Sequence, residues 1–325
     1  MRATFILVCL IMALKPTAVS AQAGFAPTYP FEVGILAGTS VFLGDLGGGK
    51  GIGRAFLRDT DFKAIRPNLG IFARYNLGAH FSVRADVSYI GLRGDDAWAG
   101  KGTGFSAENP NQGDGDDAWF RFYRNLNFRS RVFEAILVGE VIAYNFELGG
   151  GYQGYSVLSP YALVGVGVFN FKPQALYNGE WVDLRPLSTE GQGFVDGRAP
   201  YNTTAMCVPI GFGVKWSYND VWTIGLEVNH RLTFTDYVDD VSTSYVDPQI
   251  FYDNFDPAKA AIADALSQRS REIDPGAING HVSAIGEQRG DPKDNDSYYT
   301  ITLRASYFLP PGALSGGKRY GCPVW

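Results

Sequence analysis

The stretch "VWTIGLEVNHRLTFT" (residues 221–235) decides the fold. Trp222, Ile224, Leu226, Val228, Leu232 and Phe234 share one face, and Thr223, Gly225, Glu227, Asn229, Arg231 and Thr233 share the other. Side chains alternate across a strand, so a period of two over this length reads as a β-strand with one apolar and one polar face. "FSVRADVSYI" (81–90), "AMCVPIGFGVKWSY" (205–218) and "YYTITLRASYFL" (298–309) repeat the pattern. Eight such segments are predicted, at about 30–43, 67–77, 80–93, 129–146, 160–172, 204–218, 221–236 and 297–309. The connections after the second, fourth and sixth are short; those after the first, third, fifth and seventh are long, covering about 44–66, 94–128, 173–203 and 237–296. An up-and-down sheet therefore gathers every long loop at one end and leaves both chain termini at the other.

An even strand number, short turns on one side and long loops on the other are the layout of an outer-membrane barrel. The fold class read here is all-β: an eight-stranded up-and-down antiparallel transmembrane β-barrel with long extracellular loops. Closure removes the unpaired edges that lipid cannot solvate. Tyr75, Tyr89, Trp216, Tyr218, Trp222 and Tyr307 fall near strand ends, where interfacial aromatic girdles belong. The alternative is a soluble eight-stranded barrel of lipocalin type with its apolar face inside. The charges on the polar faces and the one-sided loops argue against it.

The N-terminus agrees with export. "MRATFILVCLIMALKPTAVSAQA" has one early basic residue, Arg2, an apolar run from Ala3 to Leu14 and small residues at Val19, Ala21 and Ala23. That is a secretory signal peptide, expected to span 1–21, with cleavage possible at 23. A barrel over 30–309 and a periplasmic tail over 310–325 complete the division. The spacing of Gly44, Gly49 and Lys50 matches a phosphate-binding loop, but Gly51 stands where a Ser or Thr should hold magnesium, and an exported chain meets no nucleotide pool.

The full chain has 325 residues and a formal net charge of −5, which argues against a nucleic-acid partner. Glycine (40) and aromatics (14%) are plentiful, as suits β-structure with many turns. Cys207 and Cys322 remain after the signal peptide, too few for a disulfide scaffold. If the polar faces line the lumen, they place Arg74, Arg84, Lys215, Arg231 and Arg304 there against Glu32, Asp86, Glu134, Glu140 and Glu227. Eight strands leave room only for side chains, and buried charges must pair. A salt-bridged plug follows, with no channel.

Candidates for chemistry are few. His230, on the apolar face near the outer interface, with Asp236 and Ser242 further along, is the one set that would suit a lipid-modifying barrel enzyme. His80 falls in a turn and His281 in the last long loop. Acids cluster at "GDGDDAW" (Asp114, Asp116, Asp117) and "TDYVDDVSTSYVD" (Asp236, Asp239, Asp240, Asp247). Oxygen ligands suit calcium, but neither stretch has the twelve-residue loop with its closing Glu. Asp236, Asp239 and Asp240 stand as weak metal candidates, and solvated loop charge is the reading adopted. No catalytic residue, cofactor or metal is assigned. "DPAKAAIADALSQRSREI" predicts a helix at about 257–272, with Asp256 as N-cap and Pro257 in its first position.

The tract "LEVNHRLTFTDYVDDVSTSYVD" (226–247) resembles the most characteristic part of the PorG-like outer-membrane barrels of the type IX secretion system. "FEVGILAGTSVFLGDLG", "RYNLGAHFSVRADVSY", "RNLNFRSRVFEAILVGEV", "VPIGFGVKW", "RGDPKDNDSYYTITLRASYF" and the "CP" near the C-terminus are similar to other parts of that family. The resemblance implies a non-enzymatic barrel in the outer membrane of a Gram-negative bacterium. It also implies that the barrel ties a periplasmic ring of lipoprotein PorK and its partner PorN to that membrane. It carries no catalytic residues. A generic small barrel for adhesion or envelope stability is the alternative, and a lipid-modifying enzyme the more distant one.

Cys207 is expected at the extracellular end of its strand, facing inward, whereas Cys322 leaves the last strand on the periplasmic side. The tail would have to climb about 25 Å at roughly 3.3 Å per extended residue, and a plugged lumen gives it no path. Cys322 is therefore expected to act in the periplasm. With Lys318, Arg319, Tyr320 and Trp325 it would form a docking patch for the ring that the resemblance implies; a free thiol on a mobile tail, or a tail folded back on the barrel's own rim, is the alternative.

Overall fold

The computed structural model describes residues 29–46, 62–99, 117–148, 156–219, 221–273 and 283–310. The expected signal peptide, Gly49, Lys50, Asp114, Asp116, His281 and the tail beyond Pro310, with Cys322, lie outside these.

Eight antiparallel strands close into a barrel. They are β1 (Phe31–Leu43), β2 (Arg66–Asn76), β3 (Phe81–Asp95), β4 (Asn127–Ile142), β6 (Ser156–Tyr177), β8 (Thr204–Tyr218), β9 (Trp222–Thr233) and β10 (Ser297–Phe308). Each pairs with its neighbour in the chain. The ring closes where β1 meets β10, Glu32 opposite Phe308 and Leu43 opposite Ser297. Two short strands, β5 (Phe146–Leu148) and β7 (Glu180–Asp183), are appended to β6. β4 ends at Ile142, earlier than the sequence pattern suggests, and 146–148 is a separate strand folded back on β6. β6 runs 22 residues, roughly 70 Å at about 3.3 Å per residue. It therefore projects well past the membrane at its loop end, and β7 lies on the projection.

Alternation puts Ile35, Ile71, Val87, Phe133, Leu137, Val166, Phe212, Leu226 and Leu303 on the outside, exposed. The belt is continuous round the barrel, which only lipid can cover. The girdle residues are uneven. Tyr75, Trp216, Tyr218, Trp222 and Tyr307 all gather at the short-turn rim, Trp222 against Tyr307 at 4.9 Å between ring centroids. Tyr89 alone of the six sits towards the other end, edge-on to Phe133 at 5.1 Å.

The long loops are largely ordered where described. They carry α1 (Asp117–Arg124), α2 (Gln249–Asn254) and α3 (Pro257–Ser267). α3 starts as its sequence signals require: Asp256 accepts a hydrogen bond from the Lys259 amide at 3.1 Å, with Pro257 behind it. It stops at Ser267, and a turn of 3-10 helix (Arg269–Glu272) finishes the segment. Ala260, Ala263 and Leu266 of α3 pack with Phe251 of α2 and with Ala175, Leu184 and Leu187 beside β7. This second apolar core lies outside the barrel proper and makes the loops a folded cap.

Candidate functional site: a sealed lumen under a folded cap

Strand alternation turns Glu32, Arg74, Arg84, Asp86, Glu134, Glu140, Lys215, Glu227, Arg231 and Arg304 inward, and all ten are buried. Eight of them form one network in the periplasmic half. Arg84 lies at its centre. It donates to Asp86 at 2.8 Å, to Glu227 at 2.8 and 3.1 Å, and to Glu140. Arg74 bridges Glu140 at 3.0 Å and Glu32 at 2.9 Å, and Arg304 bridges Asp86 at 2.8 Å and Glu227 at 2.9 Å. Lys215 is 3.8 Å from Glu140. The Phe72 ring lies among Arg74, Arg84 and Arg304, each guanidinium 5.1–5.9 Å from its centroid. Charges this deep hold only because each finds opposite charge across the tube. The bridges from β2 and β3 to β4 and β9 span the lumen and leave no passage there.

Higher up, Arg231 donates to Glu134 at 2.9 and 3.1 Å, and the Tyr298 hydroxyl donates to the same carboxylate at 2.8 Å. Around this pair the lumen is apolar. Ile90, Leu92, Phe128, Val132, Phe169 and Phe171 fill it, with the Cys207 thiol buried among them. The inward charges therefore give way to an aromatic core towards the extracellular mouth. That core escaped the sequence reading because only the charges were followed on the inward face, while inward Val132, Phe169 and Phe171 are as apolar as outward Phe133 and Val168. A cavity of about 20 Å³ remains at the periplasmic mouth, beside Glu32, Asn76, Lys215 and Ser217. It has room for one water.

The cap closes the other end. Tyr201 stacks on Tyr237 at 4.5 Å, and Phe171 stacks on Tyr201 at 6.2 Å. Arg124 of α1 clamps Asp96 with two hydrogen bonds, at 2.8 and 2.9 Å, and donates to the backbone oxygens of Arg289 and Asp45. Arg289 donates to Glu190 at 2.9 Å and to the Asp240 carbonyl at 2.6 Å. Glu190 accepts from the Ser242 amide at 2.9 Å and the Thr243 hydroxyl at 2.7 Å. Two arginines and one glutamate thus bind all four long loops into one body.

Asp236, Asp239 and Asp240 are buried, which corrects the reading of solvated loop charge. The segment after β9 turns in over the barrel mouth, and these carboxylates meet groups that water would otherwise solvate. Asp239 accepts from the Leu46 and Val241 amides. Asp240 takes a left-handed backbone (φ 67°), which Asp tolerates, and accepts from the Tyr201 and Thr189 hydroxyls, each at 2.5 Å. Burial pushes the Asp236 carboxyl up to about 8 and that of Asp240 up to about 6. Burial, with neighbouring acids, also lifts Asp239 and Asp296 well above the carboxylate range.

His230 projects from the outer face of β9, half-buried, while Asp236 and Ser242 fold inward under the cap. The structure does not bring these three together as an enzyme would need. The tract 226–247 supplies both seals: Glu227 and Arg231 in the lumen, Asp239, Asp240 and Tyr245 under the cap.

No family model matches the chain, and no curated protein sequence matches it. Solved structures with a similar fold include Ail, the attachment invasion locus protein of Yersinia pestis, at 10% identity over 86% of this chain and 98% of that one, with a TM-score of 0.32. Neisserial surface protein A is similar at 10% identity over 86% of this chain and 97% of the other, with a TM-score of 0.34. The N-terminal β-barrel domain of Pseudomonas aeruginosa OprF aligns at 9% identity over 85% and 96%, with a TM-score of 0.28.

Proposed function

We propose that the protein is a non-enzymatic outer-membrane barrel component of the type IX secretion machinery, anchoring a periplasmic ring of PorK- and PorN-like proteins to the outer membrane of a Gram-negative bacterium. The observation that carries this reading is the sealed lumen. A tube closed by the Arg84–Glu140–Glu227 network and by a folded cap moves no solute, and its described surface holds no assembled catalytic set. What remains for it to do is to hold position in lipid and present its ends to partners. The sequence resemblance over 226–247 supplies the identity of the machinery. The tail residues Lys318, Arg319, Tyr320, Cys322 and Trp325 are the proposed contacts; the strand before them, β10, ends at Phe308 on the short-turn rim.

The test is gentle detergent extraction of the tagged protein from outer membranes, followed by identification of what travels with it, alongside secretion assays in a deletion strain. Periplasmic ring proteins should co-purify, secretion should fail without the barrel, and a tail truncated before residue 312 should fail likewise. On a non-reducing gel, a higher-mass species lost in Cys322→Ser would make the contact covalent. If secretion survives deletion and only cap substitutions matter, the chain is a generic adhesion or envelope barrel and the secretion role falls.

A further inference from the structure

The apolar belt ends in a patch of positive charge on one side of the barrel. From the short-turn rim upward, the outward positions of β3 include Phe81, Val83, Val87 and Tyr89, and those of β4 include Val141, Leu137 and Phe133, all uncharged. Beyond them stand Gly91 and Arg93 on β3, Arg131 and Arg129 on β4, and Lys172 on β6. Strand pairing sets these cations against one another. Arg93 is directly opposite Arg129, and Arg131 is directly opposite Lys172. Like charges at facing positions repel, because their Cβ atoms are only about 5 Å apart. Arg66, at the start of β2, adds a fifth cation: a Cβ on Gly91 would come within 3.1 Å of the Arg66 Cβ. Near the loop end of β8 and β9 the outward residues are instead Met206, Leu232 and Phe234, so the charge is confined to one side.

The protein itself neutralises little of this charge. Lys172 is 2.7 Å from Asp183 of β7, and Gln174 donates to the same carboxylate at 2.6 Å. Arg129 donates through Nε to the Gln174 side chain at 2.9 Å. Among the described residues no carboxylate pairs with Arg93, Arg129 or Arg131. Arg131 is exposed, and the buried Nε of Arg93 has no hydrogen-bond partner. Aromatic rings hold two of the guanidinium groups in place. Arg129 lies 4.3 Å and Arg93 5.6 Å from the centroid of Trp181, and Arg93 is 5.2 Å from that of Trp98. A guanidinium stacked in this way is fixed in orientation, and its free edge suits a phosphate that accepts two hydrogen bonds.

The patch lies at the depth of lipid phosphates. Gly91 is ten residues past Phe81, roughly 33 Å along the strand and about 25 Å in height at a tilt near 40°, which is the height of the apolar band in barrels of this kind. We propose that Arg93, Arg129, Arg131 and Lys172, with Arg66, bind the phosphates of a phosphorylated glycolipid in the outer leaflet, whose acyl chains lie on Tyr89 and Phe133 below. A phospholipid brings a single phosphate, whereas a bisphosphorylated sugar headgroup can reach cations spread over neighbouring strands. Basic clusters at the edge of a membrane-spanning surface recognise anionic headgroups in this way. The site rests on the outer-membrane placement proposed above and is independent of the secretion role.

The experiment uses the whole folded barrel, purified in neutral detergent. Bisphosphorylated lipid A is titrated into the micelles, and bound copies are counted by native mass spectrometry. The expected result is saturable binding that weakens at least roughly tenfold when both phosphates are removed from the lipid. Phosphatidylglycerol and inorganic phosphate at the same concentration should not displace it. Replacing Arg129 and Arg131 together by Gln should weaken binding at least roughly tenfold, whereas Lys293→Gln, in an exposed loop, should leave it unchanged. Arg131→Gln alone removes no hydrogen bond or ion pair within the described residues and should still weaken binding, so it decides the matter if the double variant does not fold. Equal affinity for the dephosphorylated lipid or for phosphatidylglycerol overturns the proposal, and so does binding unchanged in the arginine variants. Inorganic polyphosphate bound as tightly as lipid A would assign the patch to a soluble polyanion and overturn it too. A chain whose gel migration is not heat-modifiable removes the barrel reading and this one with it; a heat-modifiable barrel that binds no lipid A removes this one alone.

Discussion

Glu227 shows how single residues close this barrel. It accepts from Arg84, from Arg304 and from the Tyr161 hydroxyl, and is itself buried. Removing it leaves two buried guanidinium groups short of a counter-charge, which costs on the order of 3 kcal/mol or more. Glu227→Ala is therefore expected to lower the urea midpoint of unfolding strongly, followed by the loss of heat-modifiable migration. Glu180→Ala, at the exposed first position of β7, should leave the midpoint where it is. Equal losses in the two would mean that the polar face does not line the interior. The inward set was legible because a charge inside an alternating strand has nowhere else to go. The carboxylates of the cap were not, since "DYVDD" in a long loop carries no periodicity. Only their three-dimensional partners, such as Leu46, Thr189 and Tyr201, take them out of water.

At the level of elements, the strands and the helix α3 follow from local rules, while the cap follows from long-range contacts. Asp256, Pro257 and the alanine spacing announce α3, but nothing near it announces Ala175 or Leu187 as its partners. The cap's stability should depend on pH. Burial raises the Asp240 carboxyl from its ordinary value of 3.8 to about 6, in spite of Arg289, Thr189 and Tyr201, and Glu190 opposes ionisation further. A carboxyl with a raised pKa favours the folded state in its protonated form. That stabilisation is complete below about pH 4 and is lost as the pH rises through 6. Protease cleavage within 237–296 should accelerate between pH 4 and pH 8 while the barrel stays intact. Asp240→Asn should shrink that slope without abolishing it, because other buried acids add in the same direction. A flat profile in the wild type would remove Asp240 from this role.

For the whole molecule, the layers act in series: a charge network in the periplasmic half, an aromatic core above it and a cap over the mouth. Eight strands enclose a space that side chains alone can fill, and here they do. The protein should carry no steady single-channel current in planar bilayers. The cap is not the sole reason. Deleting the helical part of the last loop, between Pro248 and Glu272, removes α2 and α3 but leaves Arg74, Arg84, Glu140 and Glu227 bridged across the tube. Current should remain absent in that variant. Opening the tube requires the network itself to go, because Arg84 joins β3 to both β4 and β9 through Glu140 and Glu227. Replacing Arg84, Glu140 and Glu227 together by alanine removes the bridging side chains without stranding any one of the three, although Arg74 and Arg304 lose partners. That variant, if it still migrates as a folded barrel, should still block ions, because Phe128, Phe169 and Phe171 fill the tube above the network; conductance is expected only when the network and that core are removed together. A porin-sized conductance in the wild type would overturn the sealed-lumen reading, and conductance on cap deletion alone would place the only seal outside the barrel.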